Sequence, residues 1–298
     1  MNAVLAFIKL GRPHFLAGGF ILYGLGAAIA AAHGHHIDIG LYVLGQAVVT
    51  ALQWMTHYAN EYFDLEADRA NATPTRWSGG SRVLVAQVIR REVALYAALV
   101  LAAVGFACGI ALAFRGGALV VPTVVVMFVL AWGYSAPPLR LCAAGLGELD
   151  VALVVTVLVP WLGFYVQAPN VVGIGVLAIA VVPLALLQFA MTVAIEFPDA
   201  EGDAATGKRT LVVRFGARAA AKLYIGATAV AFAWPLAMLA AGLPARVAIA
   251  TAALAPIAVW RIVRVRDHAD ATAYERLTFW AVALLVGTSA IQLAAWVM

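Results

Sequence analysis

The chain has 298 residues, 64% of them apolar and 11% charged, with a mean hydropathy of +0.95. Soluble domains carry roughly 45–50% apolar and about 25% charged residues, so this composition excludes an ordinary soluble enzyme and points to a bilayer. The net charge of +4 and the pI near 9.2 do not argue for a nucleic-acid partner, because the basic residues flank apolar runs, where they orient a membrane protein.

In chain order, Lys9 and Arg12 precede the first apolar stretch, which lacks a cleavage site and is expected to be retained. Apolar runs lie near 13–32, 38–59, 91–113, 117–135, 146–168, 171–195, 218–241, 244–263 and 276–298. Each approaches the roughly 20 residues that cross a bilayer. They predict an all-α, polytopic bundle of about nine transmembrane helices, one domain over 1–298. Turn signals separate the runs, among them Arg115-Gly116-Gly117, Pro137-Pro138 and Gly242-Leu243-Pro244. With the N-terminus in the cytoplasm, all of the 19 basic residues except Arg115 and Arg246 fall on the cytoplasmic side, and so do all acidic residues except Asp38. The polar chemistry is therefore expected at the cytoplasmic face. Cys108 and Cys142 have no metal-type or disulfide-framework spacing.

Two long connections on that face, 60–90 and 196–217, carry the chemistry. The first opens with Asn60-Glu61-Tyr-Phe-Asp64-Leu-Glu66-Ala-Asp68, which continues the second span without Gly or Pro. On a helix, Asn60, Asp64 and Asp68 share one face with Glu61 beside them, and Glu66 points away. The second reads Glu196-x-x-Asp199-Ala-Glu201-Gly-Asp203, repeating the offsets with Glu201 as the outlier. The shared D-x-E-x-D core and basic-then-apolar exits suggest a pseudo-repeat of helical halves. Clustered carboxylates at a membrane boundary need compensation. Hard oxygen donors on helices suit Mg²⁺, which is commonly held by one or two carboxylates together with phosphate oxygens. Two such sites facing each other would grip a diphosphate. Arg76 and Arg82 after the first motif, and Lys208 and Arg209 after the second, are candidate phosphate ligands. Tyr134 and Arg140 flank the Pro137-Pro138 turn and are candidate phosphate or acceptor contacts. His57, one turn before Glu61, would orient it, act as a base, or serve as an interior hydrogen-bonded histidine. The tract His33, His35 and His36 reads as a short polar loop.

These motifs resemble those of the UbiA superfamily of intramembrane prenyltransferases. The resemblance rests on Asn60-Glu61-x-x-Asp64-x-x-x-Asp68, Asp199-x-x-x-Asp203, Arg12-Pro13, Tyr134-Ser-Ala-Pro137-Pro138-Leu-Arg140 and Gly207-Lys208-Arg209-Thr210-Leu211, and it covers essentially the whole chain. Gly79-Gly80-Ser81-Arg82-Val83-Leu84, Gly145-Leu146-Gly147-Glu148 and Gly163-Phe-Tyr165-Val166-Gln167 are most similar to the 1,4-dihydroxy-2-naphthoate prenyltransferases of menaquinone synthesis. Glu61 stands where the family more usually has aspartate, and Ile195 where many relatives have asparagine.

The resemblance implies a nine-helix bundle with a lateral lipid opening in a bacterial-type cytoplasmic membrane. It implies Asn60, Glu61, Asp64, Asp68, Asp199 and Asp203 as Mg²⁺ ligands, with Asp64, Asp68, Asp199 and Asp203 carrying catalysis. A polyprenyl diphosphate would ionise and its cation would be attacked by an aromatic acceptor. Tyr58, Tyr62, Trp132 and Tyr134 are near enough in sequence to offer π-faces to that cation. Two rival readings stand beside this one. A terpene cyclase would use the same metal site without an acceptor, and an ion-coupled transporter would also carry intramembrane carboxylates.

Overall fold

The computed structural model describes residues 2–264 and 271–298 of the chain. Arg266, among the basic residues assigned above to one membrane face, lies outside them. The described residues form helices and turns, and no strand. They comprise α1 (Ala3–Leu10), α2 (Leu16–Ala32), α3 (Ile39–Phe63), α4 (Leu65–Ala70), α5 (Arg91–Ala113), α6 (Val120–Gly133), α7 (Leu141–Ala144), α8 (Gly147–Leu153), α9 (Val159–Tyr165), α10 (Ile174–Ala205), α11 (Leu211–Ala237), α12 (Ala245–Ala252), α13 (Ala255–Arg264) and α14 (Ala271–Val297).

Among these residues, eight helical stretches are long and apolar enough to cross a bilayer. The ninth expected span is α6, whose 14 residues reach only about 21 Å at 1.5 Å per residue. It is bounded by the Gly117 turn (φ +95°) and by the prolines at 137 and 138. The connection expected over 196–217 is much shorter than its composition suggested. Helix α10 runs through Pro198 and the whole second motif to Ala205, and α11 already starts at Leu211, with a break at Gly216 (φ 78°, ψ 160°). The 71–90 segment is the one long irregular connection, and it buries Val83 and Leu84 in the core.

The bundle closes through small residues, as membrane helices do when no hydrophobic force separates helix from lipid. Helix α2 packs on α9 where Gly26 meets the Pro160 carbonyl and Gly163 meets the Tyr23 carbonyl. Helix α3 packs on α5, and α10 on α11, α14, α8 and α4. The last pairing positions the site. A Cβ on Gly202 would lie 2.9 Å from the Asn71 nitrogen and 3.0 Å from the Ala67 oxygen, so the end of the first motif rests directly on the second.

Gly26 admits no side chain, because a Cβ there would overlap the Pro160 oxygen and lie 2.8 Å from the Phe164 nitrogen. Gly26→Ala is expected to cost about 1–3 kcal/mol of stability by overpacking. A thermal melt in detergent checks this, and an unchanged midpoint would contradict the close approach.

Candidate active site

Helix α3 ends at Phe63, and Asp64 caps it, yet the i→i−4 hydrogen bonds continue from Asp64 to Asn60 and from Asp68 to Asp64. The spacing argument therefore holds across the junction into α4. Asn60, Asp64 and Asp68 face the same cavity as Glu196, Asp199 and Asp203 of α10, whereas Glu66 and Glu201 are exposed. The cavity encloses about 500 Å³. Its upper end is polar, and its deeper walls are apolar: Leu22, Val49 and Leu52 on one side, Val151, Val154, Val155 and Val159 on another.

Lys208 joins the two motifs. Its Nζ lies 2.8 Å from Asp64 Oδ2 and 3.4 Å from Asp203 Oδ1, with all three side chains at most 10% exposed. Burial alone would push the ammonium toward neutrality, but Asp64, Cys142 and Asp203 hold its pKa above the ordinary lysine range. Asn60 Nδ2 donates to Asp64 Oδ2 at 2.6 Å and to Ser135 Oγ at 3.0 Å. Cys142 Sγ sits 3.9 Å from the same carboxylate oxygen, and burial first, then Asp64, pushes its thiol pKa up to about 12. Asp199 accepts from Asn71 Nδ2 at 2.5 Å and from the Gly79 backbone N–H at 3.3 Å.

Glu61 is engaged elsewhere. Arg12 donates to its Oε1 at 2.5 and 2.8 Å, and Ser81 donates through its N–H at 2.6 Å and its hydroxyl at 2.7 Å. The side chain is 2% exposed and does not line the cavity. Arg12, Ser81 and Glu61 thus fasten the chain start and the 71–90 segment to α3. Asp68 has its carboxylate against Gly80, where no side chain would fit. Burial pushes it up to about 8, Arg12 opposes the shift, and the charges of Glu61, Asp64 and Asp199 add to it.

The remaining candidates are placed as follows. The Arg82 guanidinium donates to the Asp68 and Gly79 carbonyls, so it shapes the loop rather than entering the cavity. Arg76 is exposed and lies over Trp77, 5.5 Å from its ring centroid. Arg140 and Arg209 are exposed and do not line the cavity. Tyr134 does line it, and burial, reinforced by Cys142 and nearby carboxylates, raises its phenol pKa well above the ordinary value. Of the other aromatic candidates, Tyr58 stacks on Phe7, Tyr62 lies under Arg91, and Trp132 packs on Phe63 and Phe128, all outside the cavity lining. The aromatic wall comes instead from His14, Phe15, His57 and Trp77, whose ring centroids lie 4.6–5.7 Å apart in successive contacts. Asn71 and Trp77 carry no mark in their spacing, and Ser81 stands in a matched motif that gave it no role of its own.

Six carboxylates line the cavity, namely Asp64, Asp68, Asp150, Glu196, Asp199 and Asp203, against two cations, Arg12 and Lys208. This surplus fits a bound cation. Among the described residues no group of three or more His, Cys, Asp or Glu side chains is already drawn together as a metal site.

With this geometry in hand, the model of the UbiA prenyltransferase family matches residues 20–288. The chain belongs to the UbiA prenyltransferase family. It is a prenyltransferase and an integral, multi-pass membrane protein. It is 29% identical over 280 residues to the digeranylgeranylglyceryl phosphate synthase of Pyrococcus furiosus, covering 90% of this chain and 87% of that one. It is 22% identical over 234 residues to the 1,4-dihydroxy-2-naphthoate octaprenyltransferase of Bacillus subtilis, covering 78% and 73%. Its fold matches an Archaeoglobus fulgidus UbiA homolog bound to GPP and Mg²⁺, with a TM-score of 0.66, 14% identity, and 96% and 99% of the two chains covered.

Two predictions follow from the charge arrangement. Lys208→Met leaves Asp64 and Asp203 buried without their cation, at a cost of about 3–5 kcal/mol without metal. In thermal melts the variant is expected to gain more from MgCl₂ than the wild type does, and an equal gain would detach Lys208 from the metal-facing carboxylates. Burial raises the Asp68 pKa to about 8, so protons compete with any metal there. Divalent-cation affinity is therefore expected to rise from about pH 6 to about pH 8 and then flatten. Titration of Asp68→Asn should show a shallower slope, and a slope unchanged from wild type would remove Asp68 from the cation site.

Proposed function

We propose that this family member transfers a polyprenyl group from an allylic diphosphate to an aromatic acceptor, with 1,4-dihydroxy-2-naphthoate as the type case. The observation that carries the reading is the meeting of the two aspartate motifs around Lys208 at the polar end of an otherwise apolar cavity. Diphosphate belongs at that end, and the prenyl tail belongs along the valine and leucine walls.

Asn60, Asp64, Asp68, Asp199 and Asp203 would hold Mg²⁺. When bound, the cation neutralises charge on the diphosphate and makes it a better leaving group. The residues of the chain do the rest. Lys208, a compact ammonium already at the junction of the motifs, supplies fixed positive charge to the leaving oxygens. Asn60, which also donates to Ser135, orients Asp64, and Asn71 and Gly79 orient Asp199. Glu61 anchors Arg12 and the loop, a reading that replaces its place in the ligand set. Arg82 acts through the loop it ties. Arg140 and Arg209 stay on the exposed rim, where diphosphate head groups enter. The wall of His14, Phe15, His57 and Trp77 offers π-faces to the allylic cation and a flat surface to an aromatic ring.

The family places the ion-coupled transporter aside. The name of the Pyrococcus furiosus relative supports a second acceptor, a prenylated glyceryl phosphate. The charge inventory favours the ring, because both cavity cations already face carboxylates and a second phosphate group would need further positive charge. The biased distribution of basic residues supports a cytoplasmic active site, and a naphthoate acceptor would assign the enzyme to menaquinone synthesis.

Mass spectrometry of products in lipid nanodiscs tests this, with MgCl₂, geranylgeranyl or longer diphosphates, and naphthoate or glyceryl phosphate acceptors. A prenylated ring whose formation stops with EDTA is expected. Cyclised hydrocarbon without acceptor would make the protein a terpene cyclase. Asp64→Asn and Asp199→Asn are expected to abolish turnover with folded protein retained; near-normal activity in both would sink the assignment of these ligands.

A further inference from the structure

Two cavity acids lie outside the metal and Lys208 set, Glu196 of the second motif and Asp150, and each has a buried oxygen without a hydrogen-bond partner. Asp150 lies on α8, is 7% exposed, and lines the cavity. Its Oδ1 is buried without a hydrogen-bond partner, and no described residue donates a hydrogen bond or an ion pair to the carboxylate. Every other acid of the cavity touches a partner or belongs to the two motifs. Below Asp150 the same wall is Val151, Val154, Val155 and Val159, continued through a π-helical turn, Val154–Leu158, that leads into Pro160. A carboxylate at the head of a valine stripe has no use for a prenyl tail, which would bury it unpaired. It has a use for a hydrogen-bond donor arriving in the cavity.

Its depth points to which donor. Gly147, at the start of α8, packs against Cys142 and Tyr134; a Cβ on it would lie 2.8 Å from Cys142 Cα and 3.2 Å from Tyr134 Cε2. Cys142 in turn touches Asp64. Asp150 is three residues further along the helix, about 4.5 Å deeper at 1.5 Å per residue. The reactive carbon of an allylic diphosphate is one bond from the leaving oxygen. It therefore lies just below the layer of motif carboxylates, at the depth of Asp150.

We propose that Asp150 binds a hydroxyl of the aromatic acceptor and takes its proton as the new bond forms. This rests on the aromatic-acceptor reading above. In the step, the acceptor O–H proton passes to an Asp150 oxygen, and the electron pair released forms a ring C=O. The ring carbon uses its π pair to bond the allylic carbon, and the allylic C–O bond breaks with its pair leaving on the diphosphate. As the keto product loses a proton to solvent, or CO₂ from a carboxylate substituent, at the alkylated carbon, the electron pair left behind restores the aromatic ring and the carbonyl oxygen takes its proton back from Asp150, which is thereby reset. Asp150 is thus assigned two tasks, orienting the ring edge-on to the cation and removing the charge that attack would otherwise leave on the acceptor oxygen.

The test compares wild type, Asp150→Asn and Asp150→Glu as full-length proteins in nanodiscs with MgCl₂. The probes are geranylgeranyl diphosphate, 1,4-dihydroxy-2-naphthoate and its 1,4-dimethyl ether, which keeps an electron-rich ring but has no hydroxyl proton. Asp150→Asn is expected to lower kcat/KM for the dihydroxy acceptor about 100-fold, the scale of a lost proton acceptor, and to change geranylgeranyl diphosphate binding less than about threefold. Asp150→Glu, which keeps a proton acceptor, is expected to recover at least about tenfold over Asp150→Asn. Wild type should prefer the dihydroxy acceptor over its ether by at least about 100-fold, and Asp150→Asn should narrow that preference, because a site built for a hydroxyl loses its discrimination with its partner. The wild-type preference needs no variant, so poor folding of Asp150→Asn leaves the idea exposed to refutation. Equal use of ether and dihydroxy acceptor by wild type would overturn it, as would an Asp150→Asn enzyme within threefold of wild type. If wild type prenylates no aromatic acceptor, the aromatic-acceptor reading fails and takes this inference with it. Loss of diphosphate binding in Asp150→Asn equal to its loss of turnover would make Asp150 part of the diphosphate site instead.

Discussion

Lys208 is the interaction on which the arrangement of the site depends. A carboxylate from each motif comes within reach of its one ammonium, 2.8 Å from Asp64 and 3.4 Å from Asp203. Two helices carrying like charges at the same membrane depth repel each other, and in a partly desolvated setting that repulsion is poorly screened. A single buried cation converts the repulsion into a clamp. The Gly202 contact with Asn71 and Ala67 then allows the backbones to approach, so charge and small-residue packing cooperate at one point.

The carboxylates divide by the partners they have. Glu61 is satisfied by Arg12 and Ser81 and is structural in this arrangement. Asp199 is held by an amide side chain and a backbone N–H, contacts that orient a carboxylate without neutralising it. Asp68 faces the cavity with its charge opposed by burial and by its neighbours. Six carboxylates face the cavity against two cations, a surplus that a cation-and-diphosphate site can use. Glu61, whose charge Arg12 meets, ties a loop to a helix instead.

Much of this was legible before any coordinates. The helical offset of four put Asn60, Asp64 and Asp68 on one face, and that survived a break at Asp64 because the hydrogen bonds run through it. Composition and apolar runs gave an all-helical membrane bundle, with only α6 falling short of a full span. The basic residues were harder. Following a motif in sequence put Arg76, Arg82 and Arg209 equally close to phosphate, but the 71–90 segment folds back on itself, so Arg82 reaches main-chain carbonyls and Arg76 points to solvent. The aromatic wall was missed for the same reason. Trp77 and Phe15 meet through a turn and a helix start that no periodicity connects, whereas Tyr58, buried against Phe7, and Tyr62, under Arg91, turn away from the cavity.

The depth of each polar group along the cavity orders the chemistry. Lys208 and the motif carboxylates occupy the polar end, the ring wall of His14, Phe15, His57 and Trp77 flanks it, and the valine stripe of α8 and α9 leads into the bundle. In the proposed reaction, an allylic cation formed at this boundary would meet π-faces and aliphatic walls, surroundings that favour carbon capture over hydrolysis. The same dryness makes any unpaired polar group in the lower cavity expensive. A carboxylate such as Asp150, buried without a hydrogen-bond partner, is the kind of local cost that persists at sites of function. In the proposed reaction it stands level with the reactive carbon, where proton removal and carbon attack have to coincide.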